Sequence, residues 1–217
     1  DTDAALKMYE EGERYADIAI RYNADNPEGY FWKSANIGKW GETRGPLDAL
    51  FKIDPMVQNL RKTLSLDRTH ADAFYVLGEL YAQAPGWPIS LGNIEFAVSL
   101  GRKALDLLEL KVQTGKIRGI YYGYYVSLAS HLWNRNWDAK RRFQAQANMK
   151  QQFNEKTDYV EKHFFYEGTI TLKNMSDRDE AREILIRIIG KLEAIPDRVD
   201  HQQRDLEKAR ALLASFK

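Results

Sequence analysis

The residues able to do chemistry are few and scattered. His70, His131, His163 and His201 contain no pair four apart, the spacing that sets two imidazoles on one helical face for zinc. There is no cysteine to supply a thiolate ligand, a disulfide or a nucleophile. The expectation is therefore no metal, with the histidines at surfaces and helix ends. No serine sits in a Gly-x-Ser-x-Gly turn. The stretch Gly86 to Gly92 lacks the lysine and the preceding strand of a phosphate loop. Asp177 and Asp179 fall where a helix should start, so they read as carboxylates favoured by the helix dipole, not as a catalytic pair. Lys140-Arg141-Arg142 reads as a solvated helix face, because no basic stripe extends it. The tyrosines of residues 121–125 read as packing. No catalytic residue and no cofactor are expected, and the chain is not expected to be an enzyme.

One cluster supports a sharper reading. Trp40-Gly41-Glu42-Thr43-Arg44-Gly45 should lie between two helices, with glycines available for a tight bend. A structural clamp, in which Arg44 bonds the carbonyls of exposed helix ends, is expected. A ligand carboxylate held by Arg44 and Lys39 is the alternative.

The elements that must position such residues are helices. Period-two alternation is almost absent and the helical period is nearly everywhere. The six prolines fall at plausible helix boundaries, which predicts nine or ten helices and no sheet. With 44% hydrophobic residues the chain can bury a core. Its 32 basic and 31 acidic side chains give +1, which argues against nucleic acid and anionic membranes as partners. No apolar run approaches the roughly 18 residues of a membrane span. The chain begins at Asp1 without Met, which reads as a processed or truncated product and points to export.

The helices repeat. In ADAFYVLGELYAQ, Phe74, Leu77, the small Gly78 and Tyr81 occupy the pattern of a tetratricopeptide first helix. Ala97 and Ala104, seven apart, occupy that of the second. Weaker units start at Pro27, Tyr122 and Glu161. An N-terminal half-repeat spans 1–26, with Ala19 at a small-residue position, and a polar-faced helix in 197–217 suits a cap. The starts at 27, 71, 122 and 161 exceed the regular spacing of about 34. Gly78 to Ala97 is longer than the regular interval by the stretch QAPGWPISLGN. That loop is expected to fold back on the protein, with Trp87 packed against the turn holding Trp40, and Ser90 or Asn93 capping the next helix.

These motifs resemble tetratricopeptide-repeat proteins over most of the chain. The segments GYFWKSANIGKWGETRG, LFKIDPM and LDRTHADAFYVLGELYAQAPGWPISLGN resemble two irregular-repeat groups: the TRAP-transporter-associated tetratricopeptide proteins and the regulators of microtubule dynamics. The resemblance implies one all-α domain over 1–217, a right-handed superhelix of about four irregular repeats plus capping helices. It carries over no catalytic residue. Its groove-facing positions are Phe31, Lys39, Tyr75, Glu79, Gln83, Ser130, Trp133, Asn134 and Phe165. The clamp and groove-end loop add Trp40, Glu42, Arg44, Trp87 and Asn93.

Three functions follow as expectations. The first is a periplasmic or cell-envelope adaptor, lipid-anchored in the full-length protein, docking a partner such as the solute-binding subunit of a TRAP-type transporter. The second is a small-ligand carrier lined by Trp87, Trp133 and tyrosines. The third is a cytoplasmic or organelle-associated scaffold of the microtubule-regulator type. A homo-oligomer is left open.

Overall fold

In a computed structural model the chain is all-helical. The structure describes the backbone of residues 1–217 and the side chains of all but Pro46 and Leu47. Among the described residues there is no strand, only one isolated bridge between Gly86 and Gly92. No helix among them is long and apolar enough to cross a membrane. The chain divides into two compact units, Asp1–Gly92 and Asn93–Lys217.

The first unit contains α1 (Thr2–Tyr22), α2 (Pro27–Arg44), the short α3 (Pro46–Leu50), α4 (Ile53–Leu66) and α5 (Ala71–Gln83). Asn26 caps α2 by accepting from the Glu28 amide at 3.0 Å, and Pro27 occupies the first turn, where its missing N–H costs nothing. α1 and α2 run antiparallel, since Gly12 meets Asn36 and Gly29 meets Ile20. A Cβ on Gly12 would lie 2.3 Å from the Asn36 amide oxygen, so the Asn36 side chain occupies the space that glycine leaves open. α2 and α4 are antiparallel too: Ser34 donates to the Met56 carbonyl at 3.2 Å, and Thr63 to that of Pro27 at 3.5 Å. Ala19, placed by the repeat pattern at a tight contact, is exposed; Leu6 and Ala16 form the buried stripe of α1. The reason is helical phase, because Ala19 lies about 140° around the axis from Leu6, beyond the edge of that stripe.

The second unit contains α6 (Ile94–Gln113), α7 (Gly123–Arg135), α8 (Ala139–Glu155), α9 (Tyr159–His163), a 3₁₀ turn (Tyr166–Thr169), α10 (Asp177–Glu193) and α11 (Asp200–Ser215). α7 packs on α6, α10 and α11. Leu100, Leu128, Leu132, Leu185, Ile188, Leu192 and Leu206 are fully buried in this unit. The helix expected from Glu161 is broken into α9 and the 3₁₀ turn. Asp158 caps α9 through the Val160 and Glu161 amides, at 2.9 and 2.8 Å. At Gly168 the 3₁₀ turn lies against α8. A Cβ there would fall 2.3 Å from the Lys150 backbone nitrogen, and backbone cannot swing aside. Gly168→Ala is therefore expected to lower stability by about 1–3 kcal/mol, measured by urea unfolding. An unchanged midpoint would show that the turn does not pack this closely.

Candidate functional site

The first unit holds an open pocket of about 430 Å³. Its walls come from every helix after α1. α2 contributes Ile37, Gly38 and Gly41, α3 Ala49 and Leu50, α4 Ile53 and Met56, and α5 Leu80. Small residues make the room. A Cβ on Gly38 would meet the end of Met56 at 2.7 Å, and one on Gly41 would meet the Ala49 Cα at 3.1 Å. Lys52, Glu42 and Gln83 supply polar groups on otherwise apolar walls, and Ala84 and Pro85 close the side toward the loop. The volume and the composition are those of a binding pocket.

The Trp40 cluster borders this pocket, but not as a bend. Residues 40–44 are helical, and the chain turns only at Gly45, whose φ of 121° favours glycine. The Trp40 indole donates to Glu10 at 3.0 Å, tying α2 to α1. Arg44 bonds Asp48 at 3.2 Å, not helix-end carbonyls, because α3 brings that carboxylate within one turn. Lys39 pairs with Glu42 at 2.7 Å, and both are exposed. A ligand carboxylate bound by Lys39 and Arg44 would have to displace both of these partners.

The loop after α5 is closed by its own backbone: Gly92 donates to Pro85 at 2.9 Å and Ile89 to Gly86 at 3.1 Å. Trp87 does not fold back. It is 89% exposed, with Ile89 at 72% and, on the α3–α4 link, Phe51 at 84%. The expectation of a packed Trp87 is corrected by the turn geometry. The internal bonds of residues 85–92 order the loop without any contribution from the indole. Asn93 caps α6 through the Glu95 and Phe96 amides, at 3.0 and 3.2 Å.

The other groove-assigned residues differ in exposure, each within its own unit. Phe31 is buried, its ring 4.7 Å from His70, because its face of α2 turns inward. Tyr75 and Glu79 are half-buried and Gln83 exposed on α5. In the second unit Ser130 and Phe165 are half-buried, Asn134 is exposed, and Phe165 packs edge-on to Phe96. Trp133 is covered: Phe216 stacks on it at 3.8 Å, and the Arg178 and Arg182 guanidiniums lie 4.4 and 4.6 Å from its ring. Phe96, Trp137, Met149 and Phe164 line a smaller cleft of about 80 Å³ in this unit.

The second unit also holds a buried charge network that sequence reasoning missed. Arg102 pairs with Glu167 at 2.8 Å and bidentately with Glu180 at 2.9 and 2.8 Å. Arg135 grips Asp177 with two bonds of 2.7 Å and also bonds Glu167. Arg142 meets Asp177 at 3.2 Å, Glu180, and the Met175 carbonyl at 2.6 Å. Asp177 additionally accepts from the Trp137 amide at 2.9 Å. Arg142, expected on a solvated face, is buried, as is Asp177, expected merely to favour a helix dipole. Three cations face three anions, so the network neutralises itself. Burial alone would raise the Glu167 carboxyl, but the facing guanidiniums of Arg102 and Arg135 hold it down at about 2. No local pattern in the sequence marks these residues, because they come from separate elements that only the fold brings to one point.

His70, His163 and His201 lie at helix ends, as expected, but His70 and His163 are buried there and His131 is buried within α7. His70 caps α5 by accepting from Ala73 at 3.1 Å and is buried. His131 and His163 are also buried, and His201 stacks on Tyr121 at 5.1 Å. Helices packing on both sides of α7 and α9 account for the burial. No group of three potential metal ligands occurs among the described residues. No protein-family model and no curated protein sequence matches the chain.

Proposed function

We propose that this chain is a non-catalytic interaction scaffold, and that the pocket of the first unit docks an apolar segment of a partner protein. The observation that carries the reading is the pairing of that 430 Å³ pocket with Phe51, Trp87 and Ile89, each exposed and within a few residues of its lining. Exposed large apolar groups beside a concave apolar surface are how partner sites present themselves. The antiparallel hairpins α1/α2 and α2/α4 are the building unit of helical-repeat scaffolds. A cell-envelope adaptor with tetratricopeptide-like repeats, docking a protein such as a TRAP-type solute-binding subunit, is the particular form of this proposal. α7 contacts α10 across three intervening elements, so any repeat superhelix here is strongly elaborated.

Selection of random displayed peptides on the full chain tests the reading, with binding remeasured on two variants. Ala84→Trp fills the pocket edge and is expected to weaken selected peptides at least about tenfold, or about 1.4 kcal/mol. Trp87→Ala is expected to change folding stability by less than about 0.5 kcal/mol, because the indole is in solvent. The same change should cost about 2 kcal/mol of binding, as an exposed aromatic anchor does. Peptides that bind both variants as they bind the parent would contradict the proposal.

A further inference from the structure

We propose that the segment seated in the pocket is the C-terminal end of a partner chain, its last apolar side chain in the cavity and its free carboxylate on Lys52. This rests on the docking reading above and names the chemistry of the partner. Lys52 lines the pocket, is half-buried, and lies 4.9 Å over the Trp40 ring. Among the described residues no carboxylate pairs with it. Glu42, which also lines the pocket, is held by Lys39, and Asp48 by Arg44. The pocket thus offers apolar walls and one cation whose charge the protein leaves unanswered, against an indole that weakens its hydration. A partly desolvated ammonium is stabilised by an arriving anion.

A chain terminus supplies an apolar side chain and a carboxylate on the same residue, which an internal segment does not. Phe51, Trp87 and Ile89 provide apolar surface outside the cavity for the residues that precede that terminus.

The test uses hexapeptides ending in Leu, Ile or Phe, each as free acid and as C-terminal amide, titrated against the full chain by calorimetry, with decanoate as a third probe. Free acids are expected to bind at least about tenfold tighter than their amides. Lys52→Met should reduce that ratio below about twofold, and Lys52→Arg should retain most of it, with circular dichroism unchanged in both. Equal binding of acids and amides would overturn the carboxylate inference while leaving the docking reading intact. Binding by neither peptide form would remove both. Decanoate binding that depends on Lys52, without peptide binding, would overturn the proposal in favour of a free aliphatic acid.

Discussion

Arg135→Met is expected to cost about 3–5 kcal/mol and to lower the melting temperature of the second unit by roughly 10–20 °C. The guanidinium is fully buried and bonds Glu167 and Asp177, themselves buried. Removing it leaves three carboxylates, Glu167, Asp177 and Glu180, facing only Arg102 and Arg142, in a region from which water is excluded. The loss is that of uncompensated charge, more than of the bonds themselves. Adding Glu167→Gln to Arg135→Met should therefore cost less than Glu167→Gln alone, with a coupling of at least about 1 kcal/mol. Thermal unfolding of the four proteins measures it. Additive effects would mean that the six side chains do not act as one network.

Acidification is expected to destabilise the second unit in two steps. His163 is buried beside Phe153 and Tyr166, and burial lowers its pKa from 6.5 to about 4. The folded protein favours the neutral ring, so this contribution is intact above pH 6.5 and is lost as pH falls toward 4. Glu167, held at about 2 against an ordinary 4.5, contributes fully above pH 4.5 and loses its share as pH falls toward 2. That share is about 3 kcal/mol. Asp106 and Asp205, raised by burial, act in the opposite sense and soften the lower step. Urea midpoints between pH 8 and pH 3 should fall in both windows. His163→Phe should flatten the upper one, and Glu167→Gln the lower one. A flat profile in the parent protein would contradict both assignments.

The helices were legible in the sequence because helix capping and the apolar period are local. Asn26-Pro27, Asn93 and Asp138 begin helices as their chemistry requires. Small residues were legible as contact positions, but their partners were not: Gly168 does permit a close approach, and only the fold shows that it is to the backbone of α8. The charge network was invisible, since Arg102, Arg135, Arg142, Glu167, Asp177 and Glu180 come from five elements and look individually like surface residues. Trp87 shows the converse failure. Hydrophobicity argued that it should be buried, but turn bonding alone orders its loop, and the indole remains in solvent. The pocket was partly legible. The cluster around Trp40 drew attention to the right region, while Lys52, the group left without a carboxylate, carried no sequence signal.

The most direct measurement of the central claim is methyl chemical-shift mapping of the full chain with a selected peptide. The account predicts saturable shifts at Ile37, Leu50, Ile53, Met56 and Leu80, which line the pocket of the first unit, and at Ile89 on its rim. Shifts confined to Asn93–Lys217, or none at peptide concentrations that saturate binding, would contradict it.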